Sequence, residues 1–574
     1  MDLLMQKYNE LIKLYNIDED VDRKHTSLAI RNILNKFCYS HNNVAIWCNG
    51  EHTRMLMTDY MDELRNINII IDNQLNGYGD GFNVIKESEI RDNRIEGIII
   101  SSYRYKDEIK KNLEKNFKDI PYLDIYDELQ KKGICLEAEY YKYSHPNNTY
   151  FVINKYRNNI RLGIDLEESY IQLINKLIVI KDFFTATEVA KQFLKITSEP
   201  EKVKNVIMIL SDLCEYIKYN ISKINKNNIL MICIDTMRKQ DFYNRFNNTI
   251  KAVNNKACCF YNAYSVSTST YESLIPTYGE YKSVKQVGTI VKEKDCRFIC
   301  ESIKNKRKIY FYTDGDKFIE SDEIKYSGCF QTITEKLWNF LIDVSNEKHG
   351  LFYIHVLQES HFWYANAYTE VPFVSGISTD IIDLKNSDMI DKLKNQKIDA
   401  DRYLDNILSF LLGNINSNFV VYADHGYLMP DEYKINEEDN SIYSYHNSLI
   451  QIPLIIKQNE NNLMIGDRYE LISLMQLNEM LCNIINNRIV TPKQYDYIKV
   501  QRTAIYNPKL KKIYREKGRE RELMAFELFV FVDGYKLCVY EDGKIILLHK
   551  DEIVDSNKLT KKYYNTVLNN VTVY

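Results

Sequence analysis

The fold class is decided by the stretch ILMICIDT, residues 229–236. Six consecutive apolar residues follow a pair of turn-forming asparagines and lead directly into Asp-Thr. A short unbroken apolar run bounded by turn residues is typical of a strand that is buried on both faces of a parallel sheet. Ligands of open α/β sheets collect at the carboxyl ends of the strands. The stretch therefore predicts an α/β fold with Asp235 at the ligand-binding edge.

Two later segments carry polar residues that can meet Asp235 at the same edge. Phe260–Gly279 runs through a dense set of hydroxyls into an apolar, helix-like stretch. Phe419–Gly426 is another apolar run, and it ends in the acid Asp424 and the imidazole of His425. Carboxylate and imidazole groups are common ligands of divalent metal ions in proteins. The sequence therefore predicts a divalent metal site built from these groups and a hydroxyl.

The bulk composition is that of a globular protein with several domains. A chain of 574 residues is too long for one hydrophobic core and implies about two to four domains. Hydrophobic residues make up 45% and charged residues 27%, which is ordinary for a chain that folds throughout. The net charge is −4 and the basic residues are scattered, so no surface for nucleic acid or an anionic membrane is indicated.

The compartment is expected to be the cytoplasm. The opening residues lack the charged-then-apolar layout of a secretory signal. No apolar run approaches the ~20 residues that span a bilayer, so no transmembrane segment is expected. The twelve cysteines show no CxxC spacing, and several lie in apolar strand patterns, where cysteine behaves as a small buried hydrophobe.

Residues 1–160 are predicted to form a Rossmann-like domain with N-terminal helices. Strand patterns at Asn43–Trp47 and Ile67–Ile71 flank a turn and a helix, which is the βαβ order of dinucleotide-binding folds. Gly50 in the turn and Asp72 after the second strand are the candidate cofactor-binding residues. One glycine in place of a cluster is a weak fingerprint, so a structural or partner-docking domain is the alternative. The segment resembles small Rossmann-like modules of bacterial sugar-modifying proteins.

The remainder of the chain is predicted to divide into a helical spacer and a catalytic domain. Apolar residues fall at helical spacing over residues 161–225, which predicts the spacer. The catalytic domain is predicted over residues 226–574, with a small C-terminal subdomain at about 496–574.

Six segments after residue 226 carry motifs that occur together in a known family. They are ILMICIDTMRKQD at 229–241, FYNAYSVSTST at 260–270, YIHVLQESHFWY at 353–364, YLDNILSFL at 403–411, HNSLIQIPLII at 446–456 and GYKLCVYEDGKIILL at 534–548. In this order they resemble the motifs of the sulfatase-like branch of the alkaline phosphatase superfamily. The resemblance implies an alkaline-phosphatase-type α/β sandwich with a small C-terminal β-rich subdomain.

The resemblance also implies roles for individual residues and a divalent metal, which would be Zn, Mn, Mg or Ca. The positions that match metal ligands are Asp235, Thr270, Asp424, His425 and His355. The positions that match groups in contact with the transferred group or the leaving oxygen are His361 and His446.

The resemblance leaves two roles open for Arg238 and more than one residue open for the hydroxyl nucleophile. Arg238 is a catalytic candidate that either pairs with a substrate oxyanion or holds a carboxylate ligand of the metal in place. Thr270 matches the nucleophile, and Thr268 and Ser269 remain alternatives within a slip of one or two residues. A predicted helix begins at this point, and its N-terminus would supply backbone N–H groups to an anionic substrate.

The nucleophile position departs from that of sulfatases proper. Their Cys/Ser-x-Pro-x-Arg motif, which is oxidised to formylglycine, is replaced by TYESL at 270–274. Threonine cannot become formylglycine, so the resemblance favours the phosphoethanolamine and phosphoglycerol transferase branch, where a threonine forms a covalent phospho-enzyme. The paired aspartates of the first strand are reduced to Asp235, which leaves the number of metal ions open.

Three hypotheses about function follow. The first is a metal-dependent enzyme that transfers or hydrolyses a phosphate or sulfate ester through Thr270, acting on a small-molecule, glycan or phospholipid-type ester and decorating a surface glycan precursor. The second is a sulfuric ester hydrolase or phosphodiesterase with water as the acceptor. The third is a non-catalytic scaffold that keeps the fold. The oligomeric state is not indicated.

Overall fold

The computed structural model of the chain shows several sheets with helices packed around them. The residues that it describes are 2–15, 21–50, 52–53, 56–57, 60–64, 67–73, 77–79, 82–103, 105–132, 134, 146–281, 284, 290–314, 317–327, 331–361, 387–428, 445–458, 465–505, 511, 515–516, 518 and 520–572. Within these residues, no helix is both long enough and apolar enough to cross a membrane.

The N-terminal part contains a six-stranded sheet between helices. Its elements are α1 Asp2–Tyr15, α2 Val21–Ser40, β1 Val44–Trp47, α3 Met61–Leu64, β2 Ile69–Ile71, β3 Gly77–Gly79, β4 Phe82–Ile85, β5 Gly97–Ile100, α4 Lys106–Asn116, β6 Tyr122–Asp124 and α5 Ile125–Gln130. The strand order is β3-β4-β2-β1-β5-β6, and the strands are parallel except for the pair β3–β4. This is the Rossmann-like arrangement that the sequence predicts.

Four helices follow, and they pack against the larger sheet. They are α6 Pro146–Leu162, α7 Leu166–Val179, α8 Phe183–Phe193 and α9 Pro200–Lys223. The Asp182 side chain caps α8 by accepting a hydrogen bond from the Thr185 N–H, and Pro200 stands in the first turn of α9. The buried faces of these helices belong to the same hydrophobic cluster as the central strands of the larger sheet.

Helix α1 also belongs to this cluster, although it comes first in the chain. Leu4, Tyr8 and Leu11 of α1 are buried with the α8 and α9 side chains. The segment predicted as a spacer is therefore a layer of the larger unit, and α1 and α6 share that layer. The boundaries at residues 160 and 225 stay predictions, because packing groups the helices without fixing where a domain ends.

The larger sheet has nine strands and carries most of the core. Its strands are β7 Ile229–Ile234, β8 Cys258–Tyr264, β10 Lys308–Tyr312, β12 Ile324–Tyr326, β13 Gly350–Val356, β14 Asn418–Tyr422, β15 Gln451–Lys457, β16 Gly466–Arg468 and β17 Ile472–Ser473. The order is β12-β10-β13-β7-β14-β15-β8-β16, with β17 beside β8. Strand β15 is antiparallel to both of its neighbours, and the other pairs are parallel. Strands β7, β13 and β14 are buried along their whole length, as expected for parallel strands covered on both faces.

Helices and a further sheet complete the unit. The helices are α10 Lys239–Arg245, α11 Asn247–Val253, α12 Thr270–Gly279, α13 Arg297–Lys304, α14 Ile333–Val344, α15 Ser387–Asn414, α16 Asn447–Ile450, α17 Leu477–Ile485 and α18 Asn557–Val567, and a short pair of strands is formed by β9 Val291–Lys292 and β11 Ile319–Glu320. The C-terminal antiparallel sheet consists of β18 Tyr497–Arg502, β19 Phe526–Phe531, β20 Tyr535–Tyr540, β21 Ile545–His549 and β22 Glu552–Ile553. It joins the larger sheet where the Gln501 N–H donates to Val266 O at 2.8 Å. The multidomain α/β fold with a C-terminal β-rich part is thereby confirmed.

Candidate metal centre and nucleophile

Four chain segments meet at one edge of the nine-stranded sheet. Asp235 follows β7, His355 lies in the adjacent β13, and Asp424 follows β14 on the other side of β7. Strand β8 runs in the same direction as these strands and is followed by the loop that leads to α12. Their carboxyl ends therefore point to a common edge, where the Asp235 N–H is fixed by Val356 O at 2.9 Å.

Asp235, Asp424 and His425 form a buried cluster of potential metal ligands. Each offers one ligand atom, and these atoms all lie within 4.8 Å of one another. His425 Nδ1 is 2.6 Å from Gly426 O, an arrangement that fixes the ring and leaves Nε2 for a ligand. Asp424 Oδ1 accepts the N–H groups of Thr236 and His425, whereas Oδ2 is buried without a hydrogen-bond donor among the described residues. A divalent cation would satisfy this oxygen, so the residues present fit such an ion.

The hydroxyl of Thr270 completes the cluster. Thr270 is the first residue of α12, and its Oγ1 donates to Asp235 Oδ2 at 3.1 Å. The same oxygen is 3.3 Å from His425 Nε2. The neighbouring Ser269 is exposed and precedes the helix as its N-cap residue, without a side-chain capping bond. The structure therefore brings Thr270, rather than Ser269, to the carboxylates.

Two histidines lie next to the carboxylate oxygens of Asp235. His355 Nε2 is 3.4 Å from Asp235 Oδ2, and His361 Nε2 is 3.5 Å from Asp235 Oδ1. Both rings are buried, and His361 Nδ1 also contacts Leu357 O at 2.8 Å. Burial lowers the pKa of His361 to about 4, against the opposing effect of Asp235. Burial therefore favours the neutral form of the His361 ring.

The pKa values of the two carboxylates are shifted in opposite directions. Burial alone would raise the pKa of Asp235, but the contacts with His361 and His355 outweigh it and hold that pKa below its usual value. Burial, followed by the negative charge of Asp235, raises the pKa of Asp424. Two carboxylates in one buried cluster repel each other, and a bound cation would remove that repulsion.

Arg238 pairs with a carboxylate next to it on α10, and its two predicted roles stay predictions. Its guanidinium forms a bidentate salt bridge with Asp241, at 2.5 Å from Nε to Oδ2 and 2.9 Å from a terminal nitrogen to Oδ1. The group is buried and stacks over the Tyr427 ring at 4.4 Å. The carboxylate that Arg238 holds is thus Asp241, which is not among the predicted metal ligands.

His446 lies in a turn between the larger sheet and the C-terminal part. It precedes α16, and its Nδ1 accepts a hydrogen bond from the Ser448 N–H at 3.1 Å. Its Nε2 is 3.6 Å from Asp551 Oδ2 of the C-terminal part. The Gly426 N–H donates to Leu449 O at 2.7 Å, so this turn runs beside the end of β14. Contact between His446 and a leaving oxygen stays a prediction.

Gly50 and Asp72 lie at the edge of the other sheet. Asp72 follows β2, and its Oδ2 accepts a hydrogen bond from the Asn49 N–H at 3.0 Å. The carboxylate therefore ties the turn after β1 to the neighbouring strand. A Cβ added at Gly50 would meet no atom within 4 Å in the described structure, so space does not require glycine there. Cofactor binding by this pair stays a prediction.

Three further residues support the cluster without having been singled out in the sequence. Thr236 has φ 52°, a left-handed conformation that is unusual for a β-branched residue, and this conformation points its N–H at Asp424. Ser273 Oγ donates to Asp424 O at 2.6 Å from the first turns of α12. Lys336 is fully buried and donates to His355 O at 2.7 Å. No local sequence pattern predicts the role of these residues, because each makes its contact with a distant segment of the chain.

The fold and site define a class of centre, namely a threonine hydroxyl held against buried carboxylates and a histidine at the edge of an α/β sheet. Residues 40–120 match a family model described as C2185-like, N-terminal. A comparison with curated protein sequences finds no match.

Several solved structures are similar to this chain. The phosphonate monoester hydrolase SpPMH from Silicibacter pomeroyi has 12% identity and a TM-score of 0.46, over 60% of this chain and 96% of that chain. A putative sulfatase from Bacteroides thetaiotaomicron VPI-5482 has 12% identity and a TM-score of 0.45, over 60% and 92%. The C-terminal periplasmic domain of EcEptC from Escherichia coli has 14% identity and a TM-score of 0.36, over 50% and 92%.

The similarity of this chain to these three proteins is one of structure at low sequence identity. At such identities and TM-scores they assign no reaction, so the proposals below rest on the geometry of the site. The expected cytoplasmic location stays a prediction.

Proposed function

We propose that the chain is a metal-dependent, sulfatase-like enzyme that transfers the phosphoryl-containing group of a phosphate ester through Thr270. The observation that carries this proposal is the position of Thr270 Oγ1, 3.1 Å from Asp235 Oδ2 and 3.3 Å from His425 Nε2. A hydroxyl is a weak nucleophile unless a base or a metal ion activates it. Asp235, Asp424 and His425 would hold a divalent cation, which would lower the pKa of a bound hydroxyl and offset the charge of the ester.

The protein's own residues account for the remaining requirements. Thr270 begins α12, so the N–H groups of its first turn are available to the oxygens of an anionic ester. Thr270 Oγ1 forms a bond to phosphorus while the bond to the leaving oxygen breaks. The hydroxyl proton passes to Asp235 Oδ2, which accepts its hydrogen bond in the structure, and the leaving oxygen takes up a proton from solvent. His361 lies beside Asp235, where it can contact the leaving oxygen. An acceptor alcohol then takes the group from Thr270 and restores the hydroxyl.

The threonine favours a phosphate ester over a sulfate ester. A sulfatase that depends on formylglycine needs a cysteine or serine precursor, and Thr270 is neither. The substrate that we propose is a small-molecule, glycan or phospholipid-type phosphate ester, with a surface glycan precursor as the acceptor. That acceptor rests on analogy, through the Rossmann-like module at the N-terminus. With water as the acceptor, the same residues would make the chain a phosphodiesterase.

Intact-mass analysis tests the nucleophile directly. The metal-loaded protein is exposed separately to bis(p-nitrophenyl) phosphate, p-nitrophenyl phosphate and p-nitrophenyl sulfate. We expect a donor-derived mass on the wild type that is absent from Thr270→Ala, with turnover lower by at least about a thousandfold. Thr270→Ser keeps a hydroxyl and should keep part of the adduct. Thr268→Ala is the matched control and should behave as the wild type.

Each other outcome has a definite meaning. An adduct that survives in Thr270→Ala would move the nucleophile to Thr268 or Ser269. Release of p-nitrophenol without transfer to an added alcohol would favour hydrolysis over transfer. Protein that holds no divalent metal and forms no adduct would overturn the enzyme and leave the scaffold.

A further inference from the structure

An apolar cavity of about 340 Å³ lies within the helical layer of the larger unit. Its wall is formed by the first turns of α8, the end of α9, and the facing sides of α14 and α15. The apolar side chains that shape it include Ile217, Ile221, Leu337, Trp338, Ile407 and Leu411. None of the residues that line it belongs to the candidate metal centre.

The size of the cavity sets it apart from an ordinary packing defect. Protein interiors are close-packed and hold few voids larger than a water molecule. A cavity of ~150 Å³ lined by Leu, Ile and Phe is already sufficient to bind benzene. The present volume lies within the range of roughly 300–1,000 Å³ that small-molecule sites occupy, and such sites occur between the helices of bundles. The cavity is therefore large enough for a ligand.

Three polar side chains in the wall, those of Asp182, Tyr403 and Thr334, are already bound to the protein. The Asp182 carboxylate accepts hydrogen bonds from the Thr185 N–H at 3.1 Å and from the Tyr403 hydroxyl at 3.0 Å. Thr334 Oγ1 donates to Ile180 O at 2.6 Å. These hydrogen bonds take up donors and acceptors that could otherwise bind water or an ionic ligand. The interior of the cavity is thus an apolar environment.

The charged residues at its rim are paired as well. Glu188 forms a salt bridge with Lys191 at 2.8 Å. Lys181 donates to the Tyr8 hydroxyl, and its ammonium lies 3.9 Å from the centre of the Tyr8 ring. An occupant with a charged head would have to break one of these pairs, so a neutral head is favoured.

The lining residues extend along two of the helices. Lining residues extend from Thr334 to Leu341 on α14 and from Tyr403 to Leu411 on α15. At 1.5 Å per residue these spans are about 10–12 Å. The Phe184 side chain of α8 is 42% exposed, and its ring centroid lies 4.3 Å from that of Phe410 of α15. Aromatic surface is therefore presented to solvent where α8 meets α15.

We propose that this cavity binds a single unbranched hydrocarbon chain with a neutral headgroup. The length of the cavity, its apolar wall and the paired charges at its rim all fit such a chain, which gains free energy by leaving water. The proposal does not rest on the proposed function. Binding is read without turnover, so its failure and the failure of the Thr270 test are separate results.

Binding of 1-decanol to the full-length, metal-loaded protein tests the site. Calorimetry should show one saturable site, and the fluorescence of Trp338 in the wall should change with the same affinity. Ile407→Phe places extra volume in the cavity and should weaken binding at least tenfold. Ile196→Phe is the matched control, because Ile196 is 47% exposed and does not line the cavity. This control should bind decanol as the wild type does.

The folding of each variant is checked by thermal unfolding before titration, and Leu337→Phe replaces Ile407→Phe if the latter does not fold. Absence of saturable binding to the wild type would overturn the proposal. Equal binding to the wild type and to the folded filling variant would also overturn it, because the probe would then lie elsewhere. Binding of naphthalene but not of decanol would refute the assignment to an extended chain.

Discussion

At the residue scale, the candidate centre is defined by charge that is buried without a full set of partners. Asp235 and Asp424 are at most 2% exposed, and Asp424 Oδ2 finds no donor among the described residues. Buried carboxylates are stable only when they are paired, hydrogen-bonded or bound to a metal. His355 and His361 partner Asp235, and His425 Nε2 lies 3.5 Å from Asp424 Oδ2. A cation between the two acids would offset their mutual repulsion.

Chelation of the metal should therefore lower the stability of the wild type. A ligand at 100–1,000 times its dissociation constant contributes about 3–4 kcal/mol to the folded state. We expect this loss on addition of EDTA, measured by thermal unfolding together with metal content. Asp424→Asn should hold at least tenfold less metal and respond little to EDTA, because it removes both a ligand and a repelling charge.

Asp405→Asn serves as the control for the loss of a buried carboxylate. Asp405 is 4% exposed, and its carboxylate accepts the N–H groups of Asn248 and Thr249 at the start of α11. This variant should keep the metal and the response to EDTA, even if its baseline stability falls. A response to EDTA that persists in Asp424→Asn would contradict the assignment of that residue as a ligand.

At the element scale, the strand β15 ends in a buried lysine whose pKa is lowered. It is antiparallel to β14 and β8, and it ends at Lys457, which is buried and donates to Ile415 O at 3.0 Å. Burial, with a further contribution from the charge of Lys256, lowers the pKa of Lys457 to about 8. The charged form of this lysine is therefore disfavoured in the folded state relative to the unfolded state.

The pH dependence of this lysine has a definite sign. Between the folded pKa of about 8 and the ordinary lysine value of about 10.4, the unfolded state binds more protons than the folded state. The contribution of Lys457 to stability should thus rise with pH across this window. We expect the stability advantage of Lys457→Met over the wild type to shrink by about 1–2 kcal/mol between pH 7.5 and 9.5.

Urea unfolding of both proteins at the two pH values measures this difference, and other titrating groups cancel in the comparison. Lys251→Met is the control, since Lys251 is an exposed lysine of α11. A difference between Lys457→Met and wild type that does not change with pH would mean that Lys457 stays charged in the folded protein.

At the scale of the whole molecule, the first two helices of the chain pack into different hydrophobic cores. Helix α1 precedes the Rossmann-like sheet, yet Leu11 is buried in the cluster that contains β7. Leu34 of α2, by contrast, is buried in the cluster that contains Val44 and Ile46 of β1. Two helices close in sequence therefore support two different cores.

Truncation of these leucines should separate the two cores. Leu11→Ala and Leu34→Ala each remove a fully buried side chain and should cost about 2–5 kcal/mol of local stability. Hydrogen exchange followed by mass spectrometry should show faster exchange of β7 in Leu11→Ala and of β1 in Leu34→Ala. Equal acceleration of both strands in either variant would show that the two cores unfold as one unit.

The sequence by itself determined the buried strands and the residues at their ends. Unbroken apolar runs at 229–234 and 419–423 can be satisfied only inside a sheet, and strand direction then brings Asp235 and Asp424 to one edge. The helix after the hydroxyl-rich segment was also readable, because its apolar residues follow immediately. These features depend on neighbours in the chain, so local pattern was sufficient to predict them.

Only the tertiary structure decided which polar groups pair with which. It brought the Thr270 hydroxyl to Asp235, paired Arg238 with Asp241, and placed His446 at the N-cap of a short helix. It also put α1 on the larger core. Each outcome depends on a contact between segments that lie far apart in the chain or on the exact direction of a side chain. Hydrophobic periodicity records which face of an element is buried, but it does not record what that face meets.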